Sequence, residues 1–203
     1  MLPLILLSGL SSFAYEILWT RLLSQILGGS IYAFSTMLAS FLAGITLGSA
    51  LASRYCREPR TAALGFGLSQ LAIAFFSVLA FVLVDSFPAL VIWLQADQVA
   101  GVRPAEVALC AALLLPSTLA IGATFPFAVR IVARGPEDAA SATARVYSWN
   151  TVGAILGAVG AGFFLIPAVG FATSLALMVA LNLVLAALSS MALSPLRPAV
   201  LAT

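Results

Sequence analysis

The chain has 203 residues, 63% of them hydrophobic and only 8% charged, with a net charge of +2 and a mean hydropathy of +1.15. A soluble domain carries about 25% charged residues, and disorder requires low hydrophobicity, so both classes are excluded. Long continuous apolar runs also exclude the short alternating segments of a membrane β-barrel. What remains is an all-α integral membrane protein.

A membrane-spanning helix needs about 20 apolar residues. Six stretches meet that length, at about 2–27, 30–53, 61–84, 104–127, 143–166 and 171–193. The first lacks the basic flank of a signal peptide and stays apolar through Trp19 and Leu23, so it reads as a retained helix. Its carboxylate, Glu16, sits about midway along the span, where an ionisable group costs several kcal/mol unless paired. Arg21 follows within two turns, and Ser40 and Asn182 fall at similar depth, so Glu16, Arg21, Ser40 and Asn182 form the expected intramembrane polar centre. Such a centre is either a cation or proton site or a hydrogen-bonded structural lock.

The second stretch places small residues at every fourth position: Thr36, Ser40, Gly44, Gly48 and Ala52. The fifth does the same with Gly153, Gly157 and Ala161. Such stripes let helix backbones approach closely, so Gly44, Gly48, Gly153 and Gly157 are expected to face other helices. Nearer the inner face, Gln70, Thr124, Tyr147 and Asn150 make a second expected polar layer, suited to hydrogen bonds between helices. Residues 85–103 form the one long outer loop, where Phe87, Leu90, Val91, Trp93 and Leu94 predict a short interfacial helix. Between the fourth and fifth stretches, Gly135-Pro136 breaks the chain, and Glu137 and Asp138 suit the first turn of a new helix.

Arginine placement orients the spans. Arg54, Arg57, Arg60, Arg130, Arg134, Arg145 and Arg197 all fall on one side if the spans alternate, which puts both termini in the cytoplasm. The bacterial cytoplasmic membrane is the expected location. With no His and no Lys, the usual metal ligand and Schiff-base chemistry are missing. Cys56 and Cys110 fall toward opposite faces, too far apart for a disulfide, and two thiols alone make a poor metal site. The residues therefore offer no catalytic set, metal site or cofactor site, and the small net charge gives no reason to expect nucleic acid.

Tyr15-Glu16-Ile17-Leu18-Trp19-Thr20-Arg21-Leu22-Leu23, Tyr32-Ala33-Phe34-Ser35-Thr36-Met37, Gly122-Ala123-Thr124-Phe125-Pro126 and Tyr147-Ser148-Trp149-Asn150-Thr151-Val152-Gly153-Ala154 carry a resemblance. They resemble the membrane region of spermidine-synthase-like membrane proteins, which join a major-facilitator-like part to an aminopropyltransferase-like part. The resemblance implies a six-helix bundle like half of a major facilitator; family members commonly continue into a cytosolic domain, whereas residues 1–203 read as one transmembrane domain with no soluble domain. Aminopropyl transfer does not carry over, because no residue here matches the motifs that perform it. Three roles follow: a non-catalytic subunit packed in the bilayer against other membrane subunits or its own copies, half of a carrier for a cation or polyamine, or the membrane part of a polyamine enzyme.

Overall fold

The computed structural model describes residues 1–27, 31–56, 58–86, 89 and 104–191. Six helices account for nearly all of them: α1 (Leu2–Leu27), α2 (Ile31–Ser53), α3 (Pro59–Val84), α4 (Pro104–Val132), α5 (Ala139–Val159) and α6 (Ile166–Met191). There is no strand among the described residues. Helix α4 runs five residues beyond the expected end at residue 127, since Val129, Ile131 and Val132 pack against an inner core of Ile5, Phe66, Phe127 and Val146. The predicted interfacial helix lies outside the described residues.

Five stretches are long and apolar enough to cross a membrane, the last being Pro136–Met191. That last stretch holds two helices of opposite direction. Six residues of wider π-helix, Gly160–Leu165, extend α5, burying Ala161 and turning Phe163 and Phe164 outward. The chain then reverses at Gly170, whose φ of 79° and ψ of 174° only glycine adopts readily. Helices α5 and α6 lie antiparallel beyond it. Along α1, Leu6, Leu10 and Ile17 meet Gly153, Gly157 and Gly162 in ascending order, whereas Tyr15 and Trp19 meet Asn182 and Phe171 in descending order.

The bundle repeats one three-helix unit. Helix α2 packs mainly on α4, and α5 mainly on α1; α3 joins α4 as α6 joins α1; and α3 meets α6. Exchanging α1 with α4, α2 with α5 and α3 with α6 reproduces every major contact. The exchange also reverses direction, as an inverted repeat requires. Its two closest crossings match in detail. A Cβ on Gly48 would collide with the Leu119 carbonyl, and one on Gly122 with the Ile45 carbonyl. At the other crossing Gly153 meets the Leu6 carbonyl, and Gly9 meets the Asn150 carbonyl. Both crossings therefore set one glycine of each helix on the backbone of the other, three residues from that helix's own glycine. Gly44 adds a contact to Thr118, and Gly157 one to the Leu10 carbonyl.

Where α4 gives way to α5, Gly135 is extended and Pro136–Asp138 form a single tight turn. Asp138 accepts a hydrogen bond from the Arg134 backbone N–H at 3.2 Å and pairs with the Arg145 guanidinium at 2.9 Å. The Arg145 hydrogen bond, helped by that backbone N–H, holds the Asp138 carboxyl below its ordinary range.

Replacing Gly48 or Gly153 by Leu should each cost about 1–3 kcal/mol, the usual penalty of overpacking. Gly160→Leu should cost little, since nothing lies within 4 Å of a Cβ there. Thermal unfolding midpoints in detergent check this, and equal midpoints for all three variants would contradict the crossings described.

Candidate functional site

The residues expected to form one polar centre sit on different faces of α1. Glu16 faces the α2 and α4 side, in a narrow cleft with Trp19, Thr20, Phe34, Met37, Leu38, Phe41 and Leu114. It is half-buried, and no described residue makes a hydrogen bond or ion pair with its carboxylate. Arg21 is exposed and lies outside that cleft. Ser40 is buried, but its hydroxyl donates to the Thr36 carbonyl of its own helix at 2.8 Å. Asn182 lies on the opposite side of α1, against Tyr15. The sequence count gave common depth, but depth does not fix rotation about a helix axis, and a step of one residue turns a side chain by about 100°. Tyr15 and Glu16 thus face different neighbours.

The inner layer divides in the same way. Gln70 is fully buried, and its Nε2 donates to the Ser8 hydroxyl at 2.8 Å. Asn150 packs its carbonyl and side-chain oxygens on Gly9. Thr124 turns back to the Ile121 carbonyl of its own helix at 2.7 Å. Tyr147 is 63% exposed and points away from the bundle.

The structure assembles a seam that the sequence reading missed. Along α1, Ser8, Tyr15 and Trp19 face α3 and α6. Gln70 and Ser77 of α3, seven residues apart, meet Ser8 and Tyr15, also seven apart. The Tyr15 hydroxyl sits beside Ser77 without closing a full hydrogen bond, and accepts a long 3.5 Å contact from Asn182 Nδ2. Trp19 packs edge-on against Phe171, which stacks on Phe81 of α3. Four buried polar atoms lack partners among the described residues: Trp19 Nε1, Gln70 Oε1, Ser77 Oγ and Asn182 Oδ1. All four lie on this seam. Its signal in the sequence was the recurrence of polar residues at two-turn spacing within apolar runs, on α1 and α3 together.

A second feature lies at the Arg-rich helix ends, where α2, α4 and the start of α5 border an open cavity of about 730 Å³. Phe125, Pro126, Val129, Ala133 and Ala139 give it apolar walls, with Arg130 and Arg134 also in the lining. Cys56 lines it too; burial pushes its thiol up and the charge of Arg130 draws it partly back. No group of three metal-ligating side chains occurs among the described residues. Comparison with protein-family models, curated proteins and solved structures returns no match to this chain.

The seam separates two amides by how well they are bonded. Gln70→Leu breaks a short bond and leaves the Ser8 hydroxyl unpaired, and should cost on the order of 0.6–1.7 kcal/mol. Asn182→Leu loses only a long contact and removes a partnerless oxygen, so it should be close to neutral. Reversible unfolding of the two variants in mixed micelles compares them directly, and a larger loss at Asn182 would overturn the ranking.

Proposed function

We propose that this chain is a non-catalytic integral membrane subunit whose α1/α2/α4 face is covered by a second protein bundle, with Glu16 at the joint. The observation that carries this reading is the Glu16 carboxylate, half-buried at mid-helix with no partner among the described residues of its own bundle. Against acyl chains such a group costs several kcal/mol. A neighbouring subunit that supplies a donor or a cation removes that cost, whether the neighbour is another protein or a second copy. On this reading all six helices cross the membrane and both termini lie in the cytoplasm, supported by the alternating helix directions and by the arginines at one end of the bundle.

A second reading is favoured by the inverted three-helix repeat. Carriers are commonly built from such repeats, with their sites near the midplane between bundles. The resemblance of residues 15–23 and 147–154 to major-facilitator-like membrane regions points the same way. Glu16 would then bind a cation or amine in half of a carrier, completed by the second bundle.

Cysteines at Ser86 and Ser141 should react with a membrane-impermeant thiol reagent from opposite sides, with Ser141 labelled from the cytoplasm. Labelling of both from one side would remove the six-crossing arrangement. For Glu16, a photocrosslinker at Leu38, which lines the cleft, should form adducts with protein in native membranes. One at Leu68, exposed on α3, should not. Glu16→Gln should keep the Leu38 adduct in both readings and abolish cation-dependent uptake or stabilisation only in the carrier reading. Absence of a Leu38 adduct in the wild-type background would overturn the shared interface.

A further inference from the structure

We propose that the cavity between α2, α4 and the start of α5 binds the phosphate group of an anionic phospholipid, its acyl chains lying along the adjoining apolar helix surfaces. The inference rests on the chain being a membrane protein, but not on the subunit or carrier role. Three observations carry it.

The first is position. Ser53 closes α2, Ala133 follows the end of α4 and Ala139 opens α5, so the cavity lies where the apolar spans end and headgroups begin. The second is composition. Phe125, Pro126 and Val129 offer an apolar wall suited to glycerol and the upper acyl chain, and Arg130 and Arg134 belong to the same lining. A guanidinium fork matches two phosphate oxygens at once, and basic pockets between helices at headgroup depth suit anionic headgroups. Ser53 and Thr143 add hydroxyls to the lining.

The third observation is the disposition of nearby acids. Glu137 and Asp138 are the acidic residues of the adjoining loop, and neither lines the cavity. Asp138 pairs with the Arg145 guanidinium and accepts the backbone N–H of Arg134, and the Arg134 charge also acts on it without a side-chain hydrogen bond between them among the described residues. A volume of about 730 Å³ falls in the range of small-molecule sites and accommodates a glycerophosphate headgroup. The cationic ethanolamine or choline end of a zwitterionic lipid is disfavoured beside two arginines, so the site should prefer lipids with net negative charge.

The test uses the full chain in detergent, with phosphatidylglycerol and phosphatidylcholine added in equal amounts and bound lipid read by native mass spectrometry. Phosphatidylglycerol should be retained preferentially. Arg130→Gln and Arg134→Gln should each weaken that retention about five-fold, and the double variant roughly thirty-fold. Arg60→Gln, exposed on α3 and outside the lining, serves as the control and should leave retention unchanged. Competition with glycerol phosphate distinguishes the sources: little displacement identifies a lipid, whereas full displacement means a free phosphate ligand and overturns the lipid assignment. Equal retention of the two lipids, or a double variant that binds like the wild type, also overturns it. Should Arg130→Gln fail to fold by circular dichroism, Arg134→Gln and Arg130→Lys carry the test, the lysine keeping charge preference at reduced affinity. Release of the wild-type chain from membranes by alkaline carbonate would instead defeat the membrane reading itself.

Discussion

Apolar side chains do little to hold one helix against another in lipid, because acyl chains surround them equally well. What distinguishes a helix neighbour from lipid is how closely a backbone can approach and how many dispersion contacts follow. Here that approach is concentrated at two crossings, where Gly48 and Gly122 seat α2 on α4, and Gly153 and Gly9 seat α5 on α1. Each glycine presses on a carbonyl of the facing helix, so even a methyl group has no room. The outer helices α2 and α5 have few other strong contacts and depend on these crossings for their position. The aromatic core around Tyr15, Trp19, Phe41 and Leu114 fills the space that the crossings define.

Fixing the crossings fixes the rotation of α1, and rotation assigns chemistry. Helix α1 is bound by α5 along its glycine face, which turns Tyr15 toward α3 and α6 and Glu16 toward α2 and α4, with Trp19 between them, against Phe171 and beside the Glu16 cleft. Hydroxyls and amides occupy the closed side, where Gln70 bonds Ser8 while Gln70 Oε1, Ser77 Oγ and Asn182 Oδ1 lack partners among the described residues. The carboxylate occupies the less crowded side, where α1 meets α2 and α4 only weakly. Glu16 therefore sits where a further bundle can reach it. The internal symmetry does not extend to this residue. Aligning Gly9 with Gly122 places Val129 of α4 opposite Glu16, so the repeats share their packing and differ in their charge.

The inner end has its own logic. Asp138 gathers the Arg134 backbone and the Arg145 side chain into one turn, and this stops α4 from running on into α5. Arg130 and Arg134 line the adjoining cavity together with Phe125 and Val129.

Composition and run length were enough to establish a helical chain with stretches long and apolar enough to cross a membrane, because burial of backbone in lipid forces helices and long apolar runs to coincide. Helix positions were legible to within a few residues for the same reason. The glycine stripes at 44 and 48 and at 153 and 157 were visible as a pattern, since small residues every four positions line one helix face. Their partners were not visible. Which carbonyl each glycine meets depends on pairings between helices distant in sequence, and nothing local encodes them. The echo of Ile45-Thr46-Leu47-Gly48 in Asn150-Thr151-Val152-Gly153 gains meaning only once both are seen in equivalent crossings. Depth along each span was likewise readable from counting, which singled out Glu16, Gln70 and Asn182. Tertiary structure alone decided that Glu16 and Asn182 look in different directions, that Gln70 meets Ser8, and that Tyr147 leaves the bundle. Counting residues gives height along a helix axis, whereas neighbours are set by rotation about it, and rotation is fixed by packing.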